Sequence, residues 1–500
     1  MKRCAVAFFL CLVLALGGVV AGVTILRSQE NQVTVTMEQE TGDRSVLQGL
    51  TARETACQNS TMGWRLTIPL ETPEKSETEC FRASKDLREG KDLMWMESAG
   101  VEFRFPDGFF ASGDVSYTEE VDQLWQREAE RTDPGKSHTE TVRVADVLET
   151  LPLEIYFHLP EQQRDRSGWL TVDLRELELS AERFFRFPPP PELEWEVTVR
   201  KDASGQVIEK SFSNSGDNPY PDTVSAVGED RCFFTLVKTM AGQNLPDFSL
   251  VPGGYGIYAL DYNGDGQGNF TVEGRSLRNV CPLPEDIRVM NLFLSPDETE
   301  LFLLTWREGQ YTCTILDAET MEEKQSVPIP VRSPASDASP WGTYEEESDR
   351  IVHGGEIIWP FLEPLWGENA LLLFREPFGP YSFDLYFLSR ETEGRYVFRF
   401  AVPLPDRFAD RAAGRMAAWN GEKLAVGVSP PAARSSLFYE GEDVVLPGLE
   451  LLVYDGAGTL LWRGTYRTSL TEPGEETSGA SVQLATWEKY TPTLHWENGV

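Results

Sequence analysis

The chain is poor in the residues that build most metal and redox sites. It has only four histidines, and none stands beside another histidine, a cysteine or a carboxylate in an order typical of metal ligands. Its seven cysteines include no Cys-x-x-Cys pair, which excludes a zinc ribbon or a thioredoxin-like site. A histidine-based metal site is therefore not expected. The histidines are His138, His158, His353 and His495.

The cysteines also exclude a complete disulfide framework. Two of the seven lie in the apolar N-terminal run, and the five that remain are an odd number. Cys57 and Cys80 can pair if the compartment is oxidising. Cys232 and Cys313 lie in strand-like apolar runs, where a cysteine behaves as a small hydrophobic residue, so both are expected in the core.

Catalytic and nucleotide-binding motifs are missing as well. No Gly-x-Ser-x-Gly is present, because Gly427-Val-Ser429 continues with two prolines, and there is no Gly-x-x-x-x-Gly-Lys-Ser/Thr loop. Acidic runs such as Glu345–Glu347 are more typical of a solvated surface than of a spaced glycosidase acid pair. No catalytic or cofactor-binding residue is therefore assigned.

Basic residues are in deficit, at 45 against 80 acidic residues, and the formal net charge is −35. A field of this sign repels phosphate backbones and anionic headgroups, so nucleic acid is not expected as a partner. Such a charge is typical of a soluble, exposed domain.

Long hydrophobic runs are absent except at the N-terminus, where a basic pair precedes an uncharged run from Cys4 to Leu26. About 20 helical residues cross a bilayer, and the positive-inside rule places the basic pair in the cytoplasm. Residues 1–27 are therefore predicted to be a signal-anchor, a single-pass transmembrane helix in the cell membrane with the C-terminal part extracytoplasmic. This helix is the only expected membrane contact. The alternative is secretion after signal cleavage near Ala21.

After a polar spacer at residues 28–45, helical periodicity is rare. It is clearest at Tyr117–Arg131, and a shorter helix is predicted at Val144–Leu148. Elsewhere the apolar runs are short, rich in β-branched and aromatic residues, and bounded by Gly, Pro, Asn and Asp. The predicted fold class is therefore all-β with few short helices.

Two local patterns recur in alternation. The first is a turn followed by an apolar strand, and the second is an alternating strand ending in a turn that Asp caps while Gly supplies positive φ. The first pattern begins at Val227, Ser295, Trp366 and Trp419. The second has its turn positions at Asp202, Asp261, Asp317, Ser389 and Asp455, with spacings of 59, 56, 72 and 66 residues. These spacings exceed a WD40 blade of ~40 to 45 residues but suit blades with loops.

This alternation resembles a β-propeller with WD40-like or quinoprotein-like repeats. Asp455 to Trp462 is similar to the strand-Asp-turn-Trp element of quinoprotein propellers, although the docking Trp occurs once, so no quinone cofactor is implied. The layout is similar to uncharacterised bacterial membrane-anchored surface proteins. Residues 185–500 are interpreted as the propeller-like domain. Residues 46–184 are interpreted as a separate β-rich domain or as degenerate blades.

The segment Asp261-Tyr-Asn263-Gly-Asp265-Gly matches the first half of a calcium loop, which clusters oxygens at alternate positions. The carboxylate expected at position 12 is one residue late, so an EF-hand is excluded. A calcium-type site in a hairpin loop is one interpretation, and an ordinary hairpin turn is the other. Calcium is the only cofactor considered.

Repeats without catalytic motifs favour a non-enzymatic extracytoplasmic binding or scaffold module, with a protein, a peptide or a cell-surface glycan as partner. The alternative is an extracytoplasmic hydrolase or lyase that acts on glycan or peptide through propeller-face carboxylates. The C-terminal strands Val482–Trp487 and Thr493–Trp496 have no complete blade after them. A strand from residues 31–70 is therefore predicted to pair with them and cover an open edge.

Overall fold

The computed structural model describes most of the chain in segments. They are residues 15–24, 33–58, 62–82, 100–104, 119–151, 153–158, 170–172, 185–214, 223–237, 248–264, 270–307, 310–330, 343–345, 350–353, 356–358, 362–375, 383–391, 393–405, 414–429, 449–469, 482–484 and 493–497. The α-helices are α1 (15–24) and α2 (Glu119–Arg131), and short 3-10 helices lie at Arg44–Leu47, Pro73–Lys75, Val144–Asp146 and Phe248–Leu250.

Strands dominate the described residues, as the all-β prediction requires. In the first half they are β1 (Val35–Gly42), β2 (Leu50–Gln58), β3 (Met62–Pro69), β4 (Glu77–Arg82), β5 (Gly100–Arg104), β6 (Ser137–Arg143), β7 (Glu154–His158), β8 (Leu170–Val172), β9 (Glu194–Lys201), β10 (Val207–Asn214), β11 (Thr223–Val227), β12 (Arg231–Leu236), β13 (Gly256–Gly264) and β14 (Phe270–Pro282). They continue with β15 (Arg288–Leu294), β16 (Glu300–Arg307), β17 (Gln310–Asp317), β18 (Glu323–Pro330), β19 (Thr343–Glu345), β20 (Arg350–His353), β21 (Glu356–Ile358), β22 (Leu362–Gly367), β23 (Ala370–Arg375), β24 (Phe383–Arg390), β25 (Tyr396–Leu404), β26 (Gly414–Trp419), β27 (Lys423–Ser429), β28 (Glu450–Asp455), β29 (Leu460–Thr468), β30 (Val482–Leu484) and β31 (Thr493–Trp496).

Four sheets are built from four consecutive strands, each paired antiparallel with its sequence neighbours. They are β11–β14, β15–β18, β22–β25 and β26–β29. A four-stranded meander of this kind is the repeating unit of a β-propeller, so these sheets are propeller-like. The pairings among the described strands do not include a closed sheet.

The predicted apolar strands are the second strands of these sheets. β12, β16, β23 and β27 are buried along nearly their whole length, as expected of strands that are covered on both faces. Cys232 in β12 and Cys313 in β17 are fully buried free thiols, which confirms that they are core residues. Burial raises the pKa of the Cys313 thiol to about 12.

The predicted turn chemistry is confirmed at Asp202 and Asp455. Oδ1 of Asp455 accepts hydrogen bonds from the backbone N–H of Ala457 and Thr459, at 2.9 and 2.8 Å, while Gly458 has φ +86°. Asp202 makes the corresponding bonds in the β9–β10 hairpin. The bonds from Thr459 and Ala457 lower the pKa of Asp455, because they stabilise its charged form.

The two ends of the described chain meet in shared sheets. β1 pairs with β29 as a fifth strand, and β2 pairs with both β30 and β31. Leu50 lies opposite Trp496, and Val35 lies opposite Thr468. The predicted pairing of the C-terminal strands with a strand from residues 31–70 is confirmed, since β2 lies in that region.

The sheet that contains β2 has the order β30-β2-β3-β4, and β31 pairs with β2 as well. Three smaller sheets complete the pairing: β5-β7-β8, β10-β9-β6 and β19-β20-β21. The pairing of β6 with β9 crosses the boundary predicted at residue 185. The chain forms two compact units, residues 1–96 with 331–500, and residues 97–330. Each unit has buried apolar clusters of its own.

Within the unit that contains residues 331–500, Glu368 connects three sheets. Its backbone forms a parallel bridge with Ala418 of β26. Its carboxylate Oε2 lies 2.8 Å from Nδ1 of His495 and accepts a hydrogen bond from the backbone N–H of Trp496 at 3.3 Å. The Trp496 indole donates to the Ala418 carbonyl at 3.2 Å. A single turn residue therefore ties the β22–β25 and β26–β29 sheets to β31.

Helix α2 lies where the 3.6-residue pattern predicts a helix. Val121, Leu124 and Trp125 are buried in the same apolar cluster as residues of β9, while the opposite helix face is exposed. The second predicted helix, Val144–Leu148, is only the 3-10 turn Val144–Asp146.

The predicted membrane anchor is described only at α1, because residues 1–14 and 25–32 lie outside the described residues. No helix in the described part of the chain has the length and apolar character needed to span a bilayer. The transmembrane anchor and the extracytoplasmic location of the rest of the chain therefore stay predictions.

Candidate functional site

The predicted calcium-type loop begins in the β13–β14 hairpin. Asp261 lies inside β13, and the ladder continues beyond it to Gly264 opposite Phe270. Its carboxylate is bound by two arginines from the flanking strands: Oδ1 accepts from Arg231 Nε at 2.6 Å, and Oδ2 accepts from Arg278 Nη1 at 2.9 Å. Asp265 and the side chain of Asn263 lie outside the described residues.

The arginines change what Asp261 can offer a cation. Partial burial alone would raise the pKa of Asp261, but the hydrogen bonds from Arg278 and Arg231 outweigh it and hold the pKa below its ordinary value. Both oxygens already accept charge-assisted hydrogen bonds, so a calcium ion would have to compete with two guanidinium groups. The calcium-type site stays a prediction, and Asp261 does not cap its turn as Asp202 and Asp455 do.

A second candidate is the set of connections in the β22–β25 and β26–β29 sheets. In an antiparallel meander, the first and third turns lie at one end, whereas the second turn and the exit to the next sheet lie at the other. The turns at the first end are short: 368–369, 391–395, 420–422 and 456–459. The connections at the opposite end are longer: 376–382, 405–413 and 430–449.

These two sheets point the same way. The parallel bridge between Glu368 and Ala418 aligns the end of β22 with β26, so the long connections of both sheets leave from corresponding ends. Residue types differ between the ends too, because the short turns contain no aromatic residue. The long connections carry Phe378, Tyr381, Phe408, Phe438 and Tyr439.

A third candidate lies between α2 and the β10-β9-β6 sheet. Glu128 occupies the apolar stripe of α2, one turn after Leu124, and is 0% exposed. His138 and Glu140 lie two residues apart on β6, and their side chains are both partly buried. Alternate residues of a strand share one face, which brings both side chains beside Glu128.

The three side chains form a compact group. Oε2 of Glu128 lies 3.5 Å from Nε2 of His138, and that nitrogen lies 3.9 Å from Oε2 of Glu140. Their potential ligand atoms all lie within 4.8 Å of one another. Among the described residues, no other group of three His, Cys, Asp or Glu side chains meets this condition.

Two arginines of α2 hold one side of the group. Oε1 of Glu128 accepts from Arg127 Nε at 2.9 Å and from Arg131 Nη1 at 3.3 Å, and Arg131 also donates to Glu140. Oε2 of Glu128 is buried and has no hydrogen-bond partner in the described part of the chain.

Sequence reasoning missed this group. The expectation that no histidine stands beside a carboxylate in ligand order is wrong for His138, because Glu140 follows it by two residues on a strand. The second signal was a glutamate at the apolar position of an amphipathic helix. Neither signal predicts that the helix and the strand meet, because that contact arises only when α2 packs on the sheet.

Comparisons with known proteins identify no family for the chain. No protein-family model matches it, and no curated protein matches it. Among solved structures, similar chains include a putative 6-phosphogluconolactonase from Bacteroides fragilis (10% identity, 89% of this chain and 97% of that chain, TM-score 0.28) and TolB from Acinetobacter baumannii (11% identity, 91% and 86%, TM-score 0.21). The β-propeller domain of Cps50 (Swd1) from Myceliophteria thermophila is similar at 11% identity over 66% of this chain and 86% of that chain, with a TM-score of 0.21. TM-scores this low do not establish a shared fold, so the propeller-like character rests on the sheets themselves.

Proposed function

We propose that the protein is a non-enzymatic extracytoplasmic binding or scaffold module. Its partner would be a protein or a peptide that contacts the long connections 376–382, 405–413 and 430–449, whose residues lie almost wholly outside the described part of the chain. The observation that carries the proposal is the difference between the two ends of the β22–β25 and β26–β29 sheets. Rigid sheets that present long segments at one end are a common way to position binding residues.

The residue types of the connections also favour the end with the long connections as the contact surface. Aromatic side chains supply most of the energy at protein interfaces, because they bury a large apolar area at a small cost in conformational entropy. The five aromatics of the long connections have no counterpart in the short turns. The net charge of −35 favours a partner that carries basic residues, since complementary charge speeds association.

The test compares the two ends of the same sheets. The purified chain would be screened against a displayed peptide library and a glycan array, and binders would be measured with two double variants. Phe438→Ala with Tyr439→Ala should weaken peptide binding at least tenfold. Glu393→Ala with Glu422→Ala, in the short turns, should leave it unchanged, with both melting temperatures close to that of the parent chain.

Other outcomes would change the proposal. Equal losses from the two double variants would show that the long connections do not form the contact surface. Binding to glycans alone would replace a peptide partner with a carbohydrate. Turnover of a glycan or peptide, abolished by a single carboxylate variant, would favour the alternative hydrolase or lyase.

A further inference from the structure

We propose that Glu128, His138 and Glu140 form a binding site for one divalent transition-metal ion of the zinc class. The starting point is the buried oxygen Oε2 of Glu128, which has no hydrogen-bond partner in the described segments. A buried polar oxygen without a hydrogen bond is costly, and a bound cation would remove that cost. Nitrogen and oxygen ligands for such a cation lie directly beside it.

The distances fit coordination by one ion. Zinc binds histidine nitrogen and carboxylate oxygen at about 2.0 to 2.2 Å, so ligand atoms in a tetrahedral site lie roughly 3.4 Å apart. The separation from His138 Nε2 to Glu128 Oε2 is 3.5 Å, and that to Glu140 Oε2 is 3.9 Å. Small side-chain rotations would bring all three atoms to bonding distance of a common point.

The scaffold holds these ligands in place. Glu128 is fixed by burial in the apolar stripe of α2 and by the arginines on its Oε1, which direct Oε2 toward His138. His138 and Glu140 are held by β6, whose register on β9 places them opposite Val199 and Val197. Partners that orient a ligand in this way strengthen metal binding.

Metal binding requires one exchange of partners. Arg131 donates to the same Glu140 oxygen that faces His138, so the cation would displace this guanidinium. The Arg131 side chain is 51% exposed and can rotate into solvent, while Arg127 keeps its bond to Oε1. The ion would therefore replace an exposed guanidinium that contacts both glutamates, while burial and Arg127 continue to hold Glu128.

The ligand set favours a transition metal over calcium or magnesium. Those two ions prefer oxygen ligands in larger number, whereas imidazole suits zinc and its neighbours in the first transition row. Three protein ligands leave a fourth position for water. A structural role is the simplest consequence, because the ion would join α2 to β6.

The experiment uses the full purified chain after treatment with a chelator and dialysis. Zinc binding would be measured by calorimetry, bound metal by elemental analysis, and coordination by the visible spectrum of cobalt-loaded protein. We expect one zinc per chain and an intense visible cobalt band. His138→Ala should weaken zinc binding at least tenfold and abolish the band, and Glu140→Gln should weaken binding in the same direction.

The matched control is His495→Ala. His495 is also half-exposed, but its ring faces a single carboxylate, Glu368, so this variant should bind zinc as the parent chain does. Glu128→Gln tests the buried ligand, with circular dichroism to establish that the variant folds. Equal zinc binding by the parent chain and His138→Ala would overturn the proposal. So would a thermal response to magnesium equal to that for zinc at fixed ionic strength.

Discussion

Glu54 provides the sharpest test of the packing around β2. It lies on β2 opposite Leu66 of β3, shares the inward face with Leu50 and Ala52, and is 6% exposed. Its Oε1 has no hydrogen-bond partner among the described residues. Burial raises the pKa of Glu54 from 4.5 to about 7, because the charged form loses its hydration.

The direction of the pH dependence follows from this shift. Below pH 4.5 the side chain is neutral in both the folded and the unfolded states, and the folded state incurs no cost. As the pH rises to 7, the unfolded chain releases its proton while the folded chain keeps it, so this residue lowers the stability of the fold. A difference of 2.5 pKa units corresponds to about 3 kcal/mol, which is fully lost above pH 7.

The perturbation is Glu54→Gln, which keeps the shape and removes the titration. The free energy of unfolding of Glu54→Gln minus that of the parent chain should rise by about 2.5 kcal/mol between pH 5 and pH 8, and then level off. Urea unfolding at several pH values would measure this difference, which cancels the titration of all other carboxylates. The control is Glu79→Gln in neighbouring β4, where the carboxylate is exposed. A difference that stays constant with pH, or an equal trend in Glu79→Gln, would refute the reasoning.

Two further predictions test sheet packing and the predicted calcium loop. Gly367→Ala should destabilise the fold by about 1 to 3 kcal/mol in urea unfolding, because its new methyl group would lie 2.4 Å from the Ala417 carbonyl oxygen, whereas Gly456→Ala, with 3.4 Å to the nearest atom, should have a smaller effect. With the arginines bound to Asp261, calcium and magnesium at equal ionic strength should raise the melting temperature equally, and Asp265→Ala should not change that response. A rise specific to calcium and removed by Asp265→Ala would instead establish the calcium site.

Local sequence was sufficient to predict the strands and many of their turns. The Asp at position 455 and the Gly at 458 predict the turn between β28 and β29, because the hydrogen bonds that define it join residues at most four positions apart. The same reasoning fails at Asp261. Its partners Arg231 and Arg278 come from neighbouring strands, 30 and 17 residues away, and local periodicity does not contain that information.

The group formed by Glu128, His138 and Glu140 was missed for the same reason, because it depends on a contact between a helix and a strand that local sequence does not contain. The position of Glu128 in the apolar stripe of α2 indicates a site only once α2 is known to pack on β6 and β9. The pairing of β2 with β31 was predicted from a different argument, the need to cover an open strand edge, which depends on the number of strands and not on any particular residue. The topological argument therefore predicted a contact between distant strands that local sequence patterns do not contain.

The sharing of sheets between the first and last described strands has a consequence for folding during synthesis. The backbone N–H of Thr34 donates a hydrogen bond to the Ser469 hydroxyl, although 435 residues separate them. The partners of β2 are β30 and β31, which come still later in the chain. During synthesis, the edges of β1 and β2 therefore stay uncovered until β29, β30 and β31 have been made. During that interval these edges are open to pairing with other chains, so the synthesis of these three late strands ends a period in which the protein is prone to aggregate.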